Sequence, residues 1–172
     1  MQPPFQVRPA TAQDAEGIAA IVHAVASERV HSAIDRAWTP EEQRRYLVSL
    51  SNREALHVAI ADAGLMVGCQ TLDLYSPVLS SMAHVAQLGT FILPSWRRRG
   101  VGQALFHDTR RFALSVGYRK LVINVRASNA SALLFYQRLG FVECGRLCRQ
   151  VVIDGLEDDE IVLELFVDRR GA

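Results

Sequence analysis

Long apolar runs are missing from this chain. No stretch approaches the roughly 20 residues needed to cross a bilayer, and the opening "MQPPFQVRPA" has no signal-type apolar segment. Cysteine is scarce. Cys69, Cys144 and Cys148 are odd in number and spaced unlike the common zinc patterns. They are expected to be reduced thiols, packing residues of a cytoplasmic protein. Net charge is nearly absent: 19 basic against 18 acidic side chains leave +1, which supplies no global attraction to nucleic acid. Repeats, low-complexity tracts and Pro/Gly/Ser linkers are also lacking. What remains is 172 residues, 49% of them hydrophobic, enough for one domain, 1–172, with one sizeable core.

The patterning alternates between periods of 2 and 3.6. "FQVRPAT" reads as a strand entering a helix, with Thr11 as N-cap and Asp14 in the first turn. Ile18, Ile21, Val22 and Val25 carry that helix. "TPEEQRRYLVSL" is a second helix, capped by Thr39 with Pro40 at its first position. The stretch "SERVHSAIDRAW" between them has no assignable pattern. "LHVAIA" and "LMVGCQTLDLY" form a hairpin around "DAG". "AHVAQLGTFIL" is a strand ended by Pro94. Val101, Leu105, Phe112 and Val116 mark a helix from Arg99 to Val116, stopped by Gly117. "KLVINV" is apolar enough for a central strand, and a helix runs from near Asn129 to Gly140. "FVECG" is a strand, followed by a strand pair around Asp154-Gly155. The order β-α-α-β-β-β-α-β-α-β-β predicts an α/β fold. Its sheet is mixed, because hairpins supply antiparallel pairs and helical crossovers parallel ones.

The local exception to the even charge is "RRRGVG", residues 97–102, between a strand and a helix start. The first backbone N–H groups of a helix lack partners and, with the dipole, favour an anion. Glycines remove the Cβ from such a site and arginines add charged donors. The pattern therefore points to a phosphate group, although neither the Walker motif nor a full G-x-G-x-x-G is present. A solvated basic turn is the plain alternative.

These residues resemble the signature [RQ]-x-x-G-x-[GA] of the GNAT superfamily of acyl-CoA-dependent N-acyltransferases. Arg97 through Gly102 match every fixed position. A second block, N-x-x-A-x-x-x-Y-x-x-x-G-F, is met by Asn129, Ala132, Tyr136, Gly140 and Phe141, about 30 residues on. The opening "VRPATAQDAEGI" is similar to the family's first strand and helix, so the resemblance spans nearly the whole chain. It implies a GNAT-like, mostly antiparallel sheet with a central splayed parallel pair, flanked by helices. It also implies acetyl transfer from acetyl-CoA, as cosubstrate, to a primary amine.

The resemblance further implies that backbone amides of Arg98, Arg99, Gly100, Val101, Gly102 and Gln103 surround the CoA pyrophosphate. The pantetheine arm would lie along Phe91, Ile92 and Leu93, pairing with backbone groups of Phe91 and Leu93 on a strand bulged near Gly89. Tyr136 becomes the general acid for the departing thiolate, and Asn129 either binds the cofactor arm or caps its helix. For the base, the splayed strand offers His84, as base or water relay, and Gln87. Asp73 and Tyr75 are alternatives, and a bound water can suffice. No metal site is expected.

The acceptor, a small-molecule or protein amine, is expected to meet "SERVHSAIDRAW" and the turn around "YSPVLSSMAHV", with Glu28 and Asp35 able to attract a cation. No nucleic-acid or membrane partner is expected, and a homodimer stays open. An inactive acyl-CoA-binding sensor is the competing function, against which the retained Tyr136 argues. A nucleic-acid binder using Arg97–Arg99, Arg110 and Arg111 is a third, opposed by the net charge and the lack of interleaved aromatics.

Overall fold

The computed structural model describes residues 4–167. Seven strands form one sheet: β1 (Phe5–Pro9), β2 (Ala55–Ala61), β3 (Met66–Leu74), β4 (Val85–Ile92), β5 (Lys120–Arg126), β6 (Val142–Ile153) and β7 (Leu156–Phe166). Their spatial order is β1-β2-β3-β4-β5-β7-β6. Every neighbouring pair is antiparallel except β4 with β5. Four helices flank it: α1 (Ala15–Ser27), α2 (Pro40–Ser49), α3 (Val101–Ser115) and α4 (Ala130–Arg138). The expected mixed sheet is present, with two strands after the last helix in place of the three segments read there. "FVECG" and the strand after it prove to be one strand, β6, interrupted by register shifts.

Alternation along the strands separates two layers. Leu72 on β3, Ala86 and Leu88 on β4 and Leu121, Ile123 and Val125 on β5 pack with α3 and α4 residues such as Phe106, Ala113 and Tyr136. The opposite face buries Ile18 and Ile21 of α1 against Leu56, Val58 and Cys69, with Tyr46 of α2 and Phe91 alongside. Each such aliphatic side chain contributes on the order of 1.5–3 kcal/mol by leaving water. Cys69 is the packing cysteine, its thiol pushed up to about 12 by burial. Cys144 and Cys148 instead lie exposed and unpaired on β6, where the edge strand leaves its side chains outside the core.

The helix starts follow their sequence signals. Thr39 accepts the Glu42 backbone N–H at 3.2 Å while Glu42 accepts that of Thr39 at 2.7 Å, closing a capping box in front of Pro40. At Thr11, just before α1, Asp14 accepts from both the backbone N–H, at 2.7 Å, and the hydroxyl, at 3.0 Å, across a short 3-10 turn at Ala12–Asp14. The unassigned stretch between α1 and α2 is a loop held from outside. Arg126 Nη1 donates to the Arg29 carbonyl at 2.8 Å, and Asn129 Nδ2 donates to the His31 carbonyl at 3.0 Å.

Candidate active site

The parallel pair is short. β4 and β5 match only over Val85–Gln87 and Lys120–Val122. Beyond Gln87, β4 stays in register with β3 as far as Ile92, while β5 continues to pair with β7 as far as Arg126. The two strands therefore part in the middle of the sheet. No register shift interrupts β3 and β4, so the expected bulge at Gly89 is absent. Glycine is needed there for another reason: a Cβ would stand 2.9 Å from Thr71 Oγ1.

An unbulged β4 decides which backbone groups face the split. Leu93 N–H donates to Val67 at 3.0 Å, and the Val85 carbonyl accepts from Tyr75 at 3.4 Å. Backbone groups alternate between edges, so the odd-numbered residues of β4, Phe91 included, point at β3. The carbonyl of His84 turns the other way and accepts from Arg119 and Lys120. Thr90 and Ile92 thus present their backbone to the split, whereas the Leu88 N–H closes the Gln87–Val122 pair. The expected pairing through Phe91 and Leu93 is corrected by one residue. Of the Ile92 groups only the N–H is free, since its carbonyl accepts from Arg97 Nε at 3.2 Å.

At the end of β4, a 3-10 turn at Pro94–Trp96 leads into the arginine–glycine loop. Arg98 and Gly100 both take left-handed backbone, at φ of 59° and 84°. Alternations of this kind line up successive N–H groups around an anion. Among the described residues, none of the backbone N–H groups from Arg98 to Gln103 donates to a protein acceptor. The first return bond of α3 is Ala104 N–H to the Gly100 carbonyl, at 3.0 Å. A Cβ on Gly100 would stand in open space, but one on Gly102 would come within 2.9 Å of Phe135 Cζ and 3.1 Å of Ile92 Cδ1. Gly100 therefore serves the approach to the loop. Gly102, read from the sequence as serving the same purpose, lets α3 pack on α4 and β4.

The three arginines diverge. Arg97 turns inward and forms a two-pronged ion pair with Glu28, one contact at 3.0 Å. This commits Glu28, which was expected to be free for a cationic acceptor. Arg98 and Arg99 are exposed, and Arg99 lies over the Trp96 ring at 5.2 Å. These two are the arginines left to meet a ligand.

Tyr136 sits on the inner face of α4, 3% exposed. Its ring is wedged between Phe135 and Phe141 with centroids 5.0 and 5.3 Å away. Burial pushes its pKa well above the ordinary phenol value. Its hydroxyl donates to Thr90 Oγ1 at 2.7 Å. The same oxygen accepts from Gln70 Nε2, also at 2.7 Å. Gln70 is fully buried on β3, directly across from Thr90, and its Oε1 has no protein partner. Neither Gln70 nor Thr90 was singled out from the sequence. The one signal there was a glutamine in an otherwise apolar run, "MVGCQTL", with too little context to interpret.

The remaining candidates separate. Asn129 is 8% exposed, and both ends of its amide are used: Oδ1 accepts from Ala132 N–H and Ser131, and Nδ2 tethers the α1–α2 loop. It is a cap and a tether, with one Nδ2 hydrogen left over for the cofactor-arm alternative. His84 lies just before β4, at the paired end, six residues and about 20 Å along the strand from Thr90 at ~3.3 Å per residue. The structure does not bring it to Tyr136, which removes the basis for reading it as the base. Asp73 lies across from Gln87, where the strands begin to part. It accepts a hydrogen bond from the Tyr46 hydroxyl. Burial raises its pKa, outweighing the hydrogen bonds from Tyr46 and Thr71. Tyr75 is exposed beyond the end of β3.

Comparison with known proteins fits this geometry. Residues 22–141 match the acetyltransferase (GNAT) family. The chain belongs to that family. It is an acetyl-CoA-dependent acetyltransferase with acetyl-CoA as cosubstrate. Over 159 residues it is 24% identical to "Putative phosphinothricin acetyltransferase YwnH" of Bacillus subtilis, covering 91% of this chain and 96% of that one. It is 30% identical over 96 residues to an aminoglycoside N(6')-acetyltransferase type 1 of Salmonella typhimurium, covering 54% of this chain and 66% of that one. The fold is shared with yncA from Salmonella typhimurium, solved with its cofactor acetyl-CoA. That match has a TM-score of 0.88 and 16% identity, covering 98% of this acetyltransferase and 96% of yncA. No helix among the described residues is long and apolar enough to cross a membrane.

Proposed function

We propose that this acetyltransferase moves the acetyl group directly to a primary amine of a small molecule, with both substrates bound together. The observation that carries the reading is the run of unpartnered N–H groups from Arg98 to Gln103 at the mouth of a split that reaches Thr90 and Tyr136. The loop takes the CoA pyrophosphate, with Arg98 and Arg99 at its rim. The pantetheine arm follows the free edge of β4, and the N–H groups of Thr90 and Ile92 are the donors available to it and to the thioester carbonyl. Tyr136 is the proton source for the departing thiolate.

The amine approaches from the α1–α2 side, where Asp73 is held by Tyr46 and is the carboxylate placed to meet an ammonium. The small-molecule acceptor is supported by the names of the two relatives, which specify phosphinothricin and an aminoglycoside. We place the reaction in the cytoplasm, where acetyl-CoA is supplied.

The test is thiol release from acetyl-CoA with phosphinothricin, tobramycin and a panel of simple primary amines. Amine-dependent release with at least one of them is expected. Tight acetyl-CoA binding with no such release from any amine would favour the inactive sensor instead.

A further inference from the structure

The hydroxyls of Tyr136 and Thr90 share one hydrogen bond, 2.7 Å long. Two hydroxyl hydrogens cannot both lie in it, so one is left over. Tyr136 is the donor in it, and Gln70 Nε2 fills the second lone pair of the Thr90 oxygen. An oxygen that accepts from both neighbours directs its own hydrogen away from both. Tyr136 is enclosed by Phe135 and Phe141, whereas Thr90 is half-buried and stands three residues past the last β4–β5 pair, Gln87 with Val122. The spare hydrogen is therefore on the residue that a substrate in the split can reach.

We infer that Thr90 is the group that touches the leaving sulfur, with Tyr136 acting through it and Gln70 positioning it. This rests on the acetyl-transfer reading above and changes its last proton step. As the C–S bond breaks, its electron pair goes to sulfur and the Thr90 hydrogen moves there. The Tyr136 hydrogen replaces it on Thr90, the proton shed by the attacking nitrogen goes to water in the split, and a water proton taken up through Thr90 restores the Tyr136 hydroxyl. Thioester plus amine gives amide plus thiol, with nothing left over. Burial that keeps Tyr136 protonated suits it to replenish Thr90 rather than to stand as a phenolate.

The experiment is thiol release from acetyl-CoA, measured with an amine that the wild type uses and, separately, with water as the only acceptor. The water arm does not depend on identifying the amine, so a failed acceptor assignment and a failed Thr90 assignment are distinguishable. Thr90→Val, nearly the same shape, should lower the rate in both arms by at least about 10-fold, toward the 10²–10⁴ typical of acid catalysis. Acetyl-CoA affinity should hold. Thr90→Ser should restore the rate to within a few-fold, which a packing role would not allow. Tyr136→Phe should be impaired, and the double variant no slower than Thr90→Val, because groups in series do not add. Thr90→Ala serves if Thr90→Val melts early. Wild-type rates in the Thr90 variants beside a slow Tyr136→Phe, or losses that multiply in the double variant, would overturn the proposal.

Discussion

The loop at 97–103 and the chain of side chains at Gln70, Thr90 and Tyr136 are neighbours in the split, yet they are built in opposite ways. The loop works through its backbone. Its donors are consecutive N–H groups aligned by left-handed backbone at Arg98 and Gly100. Inside the split the donors are side chains, brought from β3, β4 and α4 across sequence separations of 20 and 46 residues. Substitution in the loop should therefore act through backbone shape and packing, and substitution in the interior through the chemistry of one group.

The largest effect expected is on Gly102, where that contrast is easiest to break. A valine there would drive its Cβ into the side chains of Phe135 and Ile92, both partly buried between α3, α4 and β4. Overpacking of this kind costs about 1–3 kcal/mol or more, or roughly 3–10 °C in Tm for a chain of this length. Gly102→Val should thus lose thermal stability and acetyl-CoA binding together. Gly100→Ala meets open space and should mainly weaken binding, with a stability cost of about 1–2 kcal/mol from its left-handed backbone. Melts followed by circular dichroism, paired with acetyl-CoA titrations, separate the two. A Gly102→Val protein that melts like wild type would show that the helix packing is not what glycine serves.

The arginines sharpen the same distinction at smaller scale. Arg97→Ala removes the partly buried pair with Glu28 and a bond to the Ile92 carbonyl. About 1–2 kcal/mol of stability should go, with acetyl-CoA affinity affected only through the loop's anchoring. Arg98→Ala and Arg99→Ala should melt normally. Where the residue reaches a phosphate, either should weaken CoA by on the order of 1–2 kcal/mol. The loss should be greater for CoA than for dephospho-CoA if that phosphate is the 3′ one. Normal stability with a large affinity loss in Arg97→Ala would reverse these assignments.

The contrast also explains what could be read before the fold was known. A local motif carries its own geometry: "RRRGVG" marks a strand-to-helix turn by composition, and Tyr136 is marked by the resemblance of its block, Asn129 to Phe141, to the family's second motif. The N-caps at Thr11 and Thr39 and the hairpin at "DAG" are legible for the same reason. Gln70 and Thr90 have meaning only once the β3–β4 register sets them opposite each other. His84 and Asp73 illustrate the same limit. Both stand near the split in sequence, but position along β4 carries His84 out of reach, and pairing with Gln87 brings Asp73 to where the strands part. The side chain of Arg97, adjacent to its exposed neighbours, gives no sequence sign that it turns inward to Glu28.

The smallest effect expected, on Asp73, tests the other face of the split. Burial holds its carboxyl above the ordinary carboxylate range, whereas in the unfolded chain it titrates near 3.9. The folded protein therefore binds this proton more tightly than the unfolded one. The stability tied to that proton is fully present below about pH 4 and is lost as pH rises through the folded value. Asparagine stays neutral throughout, and its amide oxygen still accepts from Tyr46. Relative to wild type, Asp73→Asn should be no more stable at the acid end and modestly more stable at neutral pH, with the difference opening across that window. Urea melts at several pH values read this directly. In kinetics the same variant should raise KM for a cationic amine and leave that for acetyl-CoA unchanged, the reverse of the kcat loss expected at Thr90. A variant that is less stable at neutral pH would mean that the Tyr46–Asp73 contact holds α2 to the sheet. An unchanged amine KM would take Asp73 out of acceptor binding, leaving the amine side of the split to other groups.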